Sequence, residues 1–183
     1  ALCPGCGSDC EAVKFGAGER FLCDPCADGE RARRRGLERR QKALAMLDKI
    51  IPEDFAQKID PARINVGIRP ALALSGTEGV GLIGGTGAGK TRVAYHLLRK
   101  AAAAGRMTYA ICASRYRQCV ALQHAREGST AEILRACRFA QVLLLDDVGK
   151  GNTTEGGDEA LFDLLTERRD HRRATIWTAN GDG

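Results

Sequence analysis

The sequence predicts an α/β fold of the P-loop type, a parallel sheet flanked by helices, and three observations predict it. A glycine-rich run ending in Lys-Thr, Gly84 to Thr91, lies between a strand-like and a helix-like segment. A second run, Val142-Leu143-Leu144-Leu145, is apolar without alternation, as a strand buried on both faces requires. Between these runs and after them, strand-like and helix-like segments alternate, the pattern of a doubly wound sheet.

Residues 1–28 hold Cys, Gly, Asp and Pro with little apolar periodicity, so they form no core of their own and need a staple. Residues 29–51 read as one basic helix, with Leu37, Leu44, Leu47 and Ile51 at helical spacing and Pro52 as its stop. Residues 52–78 are a proline-punctuated connector, with a short helix expected around Pro70 to Leu74. Residues 79–183 form the core domain.

Within that domain, Gly79 to Ile83 reads as a strand, and Lys90 to Ala104 as a helix closed by Gly105. Met107 to Ala113 is a second strand, and Ser114 to Glu127 and Thr130 to Phe139 are helices. The apolar strand at 142–145 follows, belonging at the sheet centre. Lys150 to Gly157 is a mobile, glycine-rich loop. Glu159 to Arg169 is a helix with Leu161, Leu164 and Leu165 inward, and Thr175 to Thr178 is the last strand.

At 183 residues and 44% hydrophobic content, the chain suits one α/β core with a small appendage. No stretch of transmembrane length and no signal peptide is visible, so no membrane association is expected. Of eight cysteines, five crowd the first 26 positions, whereas Cys112, Cys119 and Cys137 fall in apolar patterns as small buried residues. That distribution is not a disulfide framework and fits a reducing, cytoplasmic setting.

Gly84-Gly85-Thr86-Gly87-Ala88-Gly89-Lys90-Thr91 satisfies the pattern G-x-x-x-x-G-K-[ST] in full. Glycines let successive amides converge on an anion, and the following helix adds its positive end. Lys90 is placed to neutralise the β- and γ-phosphates of ATP, and the Thr91 hydroxyl to bind magnesium. A chance glycine turn would not sit between a strand and a helix. The apolar strand delivers Asp146 and Asp147 to its C-terminal edge, where ligands bind in open α/β sheets. Asp146 would hold the magnesium. Asp147 would polarise the attacking water, or else cap the next turn. Asn180, after the last strand, would orient that water, or else form a simple Asn-Gly turn.

Cys3-Pro4-Gly5-Cys6 and Cys23-Asp24-Pro25-Cys26 are two C-x-x-C pairs with sixteen residues between them. This spacing fits a structural four-cysteine zinc site, with no open position for a substrate. Cys10 is a rival ligand or a free thiol, iron is a rival metal, and redox chemistry is disfavoured because neither pair opens a βαβ unit. Positions 29–50 carry eight Lys or Arg against three acids, an excess equal to the net charge of the whole chain, +5. Such a helix is either a phosphate- or acid-binding surface or a solvated face. Few aromatics interleave, so base stacking is not indicated.

Three stretches resemble the DnaC-type helicase loaders and their IstB-type transposition relatives among the AAA+ ATPases: Gly84 to Thr91, Val142 to Gly149 and Arg172 to Asn180. In that family these are Walker A, Walker B and the sensor 1 strand, and Lys90, Thr91, Asp146, Asp147 and Asn180 take the roles given above. The cysteine segment and basic helix look like the N-terminal arrangement of some members. The resemblance implies an ATPase of DNA replication that couples its ATP state to a replicative helicase or single-stranded DNA, as a homo-oligomer when complete. A transposition helper acting on duplex DNA and a nucleotide-dependent adaptor without hydrolysis are the alternatives.

Two features depart from the family. Asp147 stands where a Glu is usual. The arginine finger, fifth strand and sensor 2 of the family follow sensor 1, yet three residues follow Asn180. The resemblance therefore implies a chain truncated after sensor 1 and weak in hydrolysis alone. Arg168, Arg169, Arg172 and Arg173 are expected at a solvated helix end, not as fingers.

Overall fold

The computed structural model describes residues 2–3, 5–9, 23–122, 128–149 and 154–181. The core is a four-stranded, all-parallel sheet in the order β1-β4-β3-β2. The strands are β1 (Val80–Gly84), β2 (Thr108–Cys112), β3 (Val142–Asp146) and β4 (Ala174–Asn180). The apolar strand β3 lies inside the sheet, as its composition requires. Val142 and Leu144 join the core on one face, and Leu143 and Leu145 the core on the other.

Helix α3 (Lys90–Ala103) covers the first face. Val93, Ala94, Leu97, Leu98, Ala101 and Ala102 are buried along it, and the alanines let it lie close to neighbouring elements. Helices α4 (Ala113–Ala121), α5 (Gly128–Phe139) and α6 (Glu155–Asp170) cover the second face through Tyr116, Cys137, Leu161 and Leu164. Leu165 is only half-buried there. Layers on both faces explain why the strands read as continuous apolar runs rather than alternating ones.

Helix α1 (Asp24–Asp48) begins five residues earlier than the charge pattern suggested. Pro25 stands in its first turn, where a missing N–H costs nothing and its fixed φ suits a helix. The cysteine segment therefore runs directly into the helix. Ala43 and Leu47 bury the last turns of α1 in the first core, but Leu37 is 51% exposed and residues 32–42 are exposed throughout. Leu37 keeps its helical spacing without a face to bury, because α1 has already left the core at that point.

The connector forms one helical turn, α2 (Glu53–Ala56), and two 3₁₀ turns, Pro61–Arg63 and Arg69–Ala73. Ile64 and Ile68, buried at 2% and 7% exposure, fasten it to the first core. Residues 123–127, which end the helix expected from Ser114, and residues 150–153, within the expected loop, lie outside the described residues. Helix α6 starts at Glu155 because the Thr154 side chain caps it, accepting from Gly157 N.

Two expectations are corrected. Arg168 is not at a solvated helix end but fully buried. It donates to the carbonyls of Cys137, Ala140 and Ala174 at 2.8, 2.9 and 2.6 Å and to Thr175 Oγ1 at 2.9 Å. Those acceptors are the end of α5 and the start of β4, and the fixed guanidinium fork satisfies them together. Burial pushes its pKa down to about 10, so it stays charged at neutral pH. Cys112 is exposed rather than buried, since it ends β2 at the open edge of the sheet, whereas Cys119 and Cys137 are buried as expected. Among the described residues, no helix is long and apolar enough to cross a membrane.

Candidate functional site

Parallel register brings the three sequence-separated stretches to one edge. Gly84 at the end of β1 pairs with Asn180 at the end of β4, and Asp146 ends β3 beside it. Asn180 is thus the last residue of a strand, not part of a turn after it. The loop that follows β1 turns into α3 through Gly87 at φ 80° and Gly89 at φ 90°, conformations that side-chain-bearing residues avoid. A Cβ at Gly89 would also stand 2.6 Å from Ile64 Cδ1.

The Lys90 ammonium donates to Gly84 O at 2.8 Å, to Gly85 O at 2.9 Å and to Asn180 Oδ1 at 2.8 Å. All three of its protons are thereby used, two on loop carbonyls and one on the end of β4, at 6% exposure. The Thr91 hydroxyl donates to Asp146 Oδ1 at 3.0 Å. These two hard oxygen donors, side by side at a loop rich in amides and next to an ammonium, suit a magnesium ion with a polyphosphate.

Sequence reading missed Thr178. It is fully buried in β4, donates to Asp146 Oδ1 at 2.6 Å and accepts from the Asp147 amide at 2.9 Å. One hydroxyl so orients both carboxylate residues. Asp147 itself has φ 55°, and the next amide, Val148 N, donates to Thr178 O at 2.9 Å. The signal for Thr178 was its place two residues before Asn180 on a strand facing Asp146, which only the register reveals.

The connector was also missed. Asn65 N donates to Ala88 O at 3.1 Å, and a cavity of about 460 Å³ opens between Ala62 to Asn65 and Gly85 to Ala88. That volume is in the range of small-ligand sites. A faint signal existed in the spacing of Asn65 and Gly67 among Ile64, Val66 and Ile68; Asn65 accepts from Gly67 N at 2.9 Å in an Asx turn.

Far from this edge, the sulfurs of Cys3, Cys6, Cys23 and Cys26 all lie within 4.8 Å of one another. Four sulfurs at about 2.3 Å from one zinc stand about 3.8 Å apart, so the cluster fits the ion. The Cys23 amide donates to Cys3 Sγ at 3.3 Å and, with other amides, holds that thiol down at about 6. The neighbouring sulfurs of Cys23, Cys6 and Cys3 push Cys26 up to about 12. Four thiolates this close repel one another, and a divalent cation removes the repulsion. Cys10 lies outside the described residues.

A family model described as IstB-like ATP binding protein matches residues 28–182. The DnaC helicase loader structure is similar at TM-score 0.53 and 22% identity, covering 64% of this chain and 68% of that one. A replication initiator DnaA bound to AMPPCP and single-stranded DNA is similar at TM-score 0.54 and 19% identity, covering 74% of this chain and 41% of that one. DnaI is similar at TM-score 0.50 and 20% identity, covering 72% and 74%. The chain thus spans under half of DnaA and about two thirds to three quarters of DnaC and DnaI. No curated protein sequence matches.

Proposed function

Because the chain belongs to the IstB-like ATP binding protein family, we propose that it hydrolyses ATP with magnesium and uses the nucleotide state to control a contact with DNA or a replicative helicase. The observation that carries the reading is the meeting of Thr91 with Asp146 at 3.0 Å beside an ammonium shared with Asn180. In this proposal the amides of Gly85 to Thr91 hold the phosphates, and Lys90 exchanges its loop carbonyls for β- and γ-oxygens. Thr91 and Asp146 hold the magnesium, which offsets the charge of the phosphate oxygens. Asp147 accepts a proton from the attacking water, and Asn180, released by Lys90, orients it. The cavity beside Ile64 and Asn65 takes the base.

Cys3, Cys6, Cys23 and Cys26 hold a structural zinc that fixes the start of α1. The exposed length of α1 then projects arginines toward an anionic partner, in a cytoplasmic, oligomeric assembly. Related folds described as a helicase loader and as an initiator bound to single-stranded DNA support the replication role. The resemblance to IstB-type relatives gives a second reading, a transposition helper acting on duplex DNA. Tighter binding to duplex than to single strands at one stated salt concentration selects the second reading.

The core of the proposal is tested by titrating a fluorescent ATP analogue with magnesium. Lys90→Ala removes a charged donor and is expected to weaken binding about ten- to hundred-fold. Unchanged affinity would refute the phosphate site.

A further inference from the structure

Asp147 occupies a left-handed backbone conformation at φ 55°, rare for a residue with a side chain although Asp is among those that adopt it. Outside contacts must hold it there. Thr178 supplies two of them, through its hydroxyl to the Asp147 amide and its carbonyl to the Val148 amide. A further contact lies one peptide along the chain. Arg117 on α4, 7% exposed, donates through Nη2 to the Val148 carbonyl at 3.0 Å. Its Nε donates to Asp158 Oδ1 at 2.8 Å, in the first turn of α6.

Gly157 makes room for this arginine. A Cβ there would stand 2.8 Å from the capping Thr154 Oγ1 and 3.2 Å from Arg117 Cγ, so the glycine admits the cap and the arginine together. The guanidinium therefore reaches both the Val148–Gly149 peptide, one residue past Asp147, and the first turn of α6. Burying an arginine is costly unless its protons are satisfied, and here part of them is spent on the carbonyl next to Asp147. A lysine lacks the fork needed to hold a carboxylate and that carbonyl at once.

We propose that Arg117 is a positioning residue for ATP hydrolysis: it holds the Val148 carbonyl, and with it the backbone that aims Asp147. The proposal rests on the reading of Asp147 as the group that activates water. Arg117 touches neither phosphate nor magnesium, so its loss is felt in turnover and not in nucleotide binding.

The test compares Arg117→Met, Arg117→Lys and Asp147→Asn by single-turnover ATP hydrolysis, by affinity for a fluorescent ATP analogue and by thermal melting. Arg117→Met keeps the stem against Gly157. It is expected to lower the hydrolysis rate about ten-fold or more while nucleotide affinity stays within about two-fold of the parent. Arg117→Lys is expected to restore melting temperature but not rate. Parental rates in both variants, while Asp147→Asn is inactive, overturn the proposal. So does a fall in affinity that matches the fall in rate, which marks a purely structural role. Should Arg117→Met fail to fold, Arg117→Lys decides alone. Full turnover by Asp147→Asn instead sinks the catalytic reading of Asp147, whatever Arg117 does.

Discussion

Thr178 shows how much one hydroxyl can organise. Its proton goes to Asp146 Oδ1 and its lone pair receives the Asp147 amide, from a side chain with no exposed surface. Valine has the same shape and no polar atom, so Thr178→Val leaves that amide without a partner. The expected result is a loss of about 1–3 kcal/mol in urea unfolding, together with a weaker magnesium dependence of turnover. A variant equal to the parent in both measurements contradicts the assignment of Thr178 to the two aspartates. The glycine motif, the Asp pair and Asn180 were legible as candidates because each proposed role demands a residue type at a spacing. Thr178, Arg117 and Arg168 were not, because a threonine in a strand and an arginine in a helix have no such spacing. Their partners lie 28 to 32 positions away at Ala140, Val148 and Asp146.

Helix α1 gains its first turn from the cysteine cluster, since Cys26 lies inside it and Ala27 is fully buried. A metal held by the two C-x-x-C pairs would replace the apolar core that this segment lacks. The purified protein is therefore expected to carry about one zinc per chain, released by a strong chelator and measured with a colorimetric zinc indicator. Cys23→Ser should lose the metal, and Cys10→Ser should keep it. Release of zinc is expected to change exchange at the amides of residues 23–30 and to leave β1 to β4 protected. Retention of full zinc by Cys23→Ser would remove this site from the proposal. Element limits shifted for local reasons: Pro25 started α1 early, and the Thr154 cap started α6 early.

The molecule has two ends with different chemistry. At one, the C-terminal edges of β1, β3 and β4 gather the nucleotide candidates. At the other, residues 32–42 of α1 stand exposed on every side and carry Arg33, Arg34, Arg35, Arg39, Arg40 and Lys42. Arg33 and Arg34 pair with Glu30 and Glu38, while among the described residues no ion pair joins Arg35, Arg39 or Lys42 to an acid. These three recur along one side of the helix, where they can meet consecutive phosphates. Replacing all three with Glu is expected to weaken binding to single-stranded DNA and to flatten its salt dependence, by about 0.7 in log–log slope per lost phosphate contact. ATP affinity should not change, since Ala43 and Leu47 still anchor the helix to the core. An unaltered salt slope argues for a protein partner at α1 instead.

The chain's order of residues was enough to specify the α/β class, the phosphate loop, the paired aspartates and the four metal-type cysteines. Those features depend on local backbone freedom, on unbroken apolarity and on short spacings, all of which are written along the chain. Folding added what depends on distance: the pairing of β1 with β4 that sets Asn180 against Lys90, the fall of the connector onto the loop, and the burial of two arginines against carbonyls. Side chains far apart in sequence acquire a meaning only when register and packing bring a partner to within about 3 Å, and no pattern along a single chain encodes that distance.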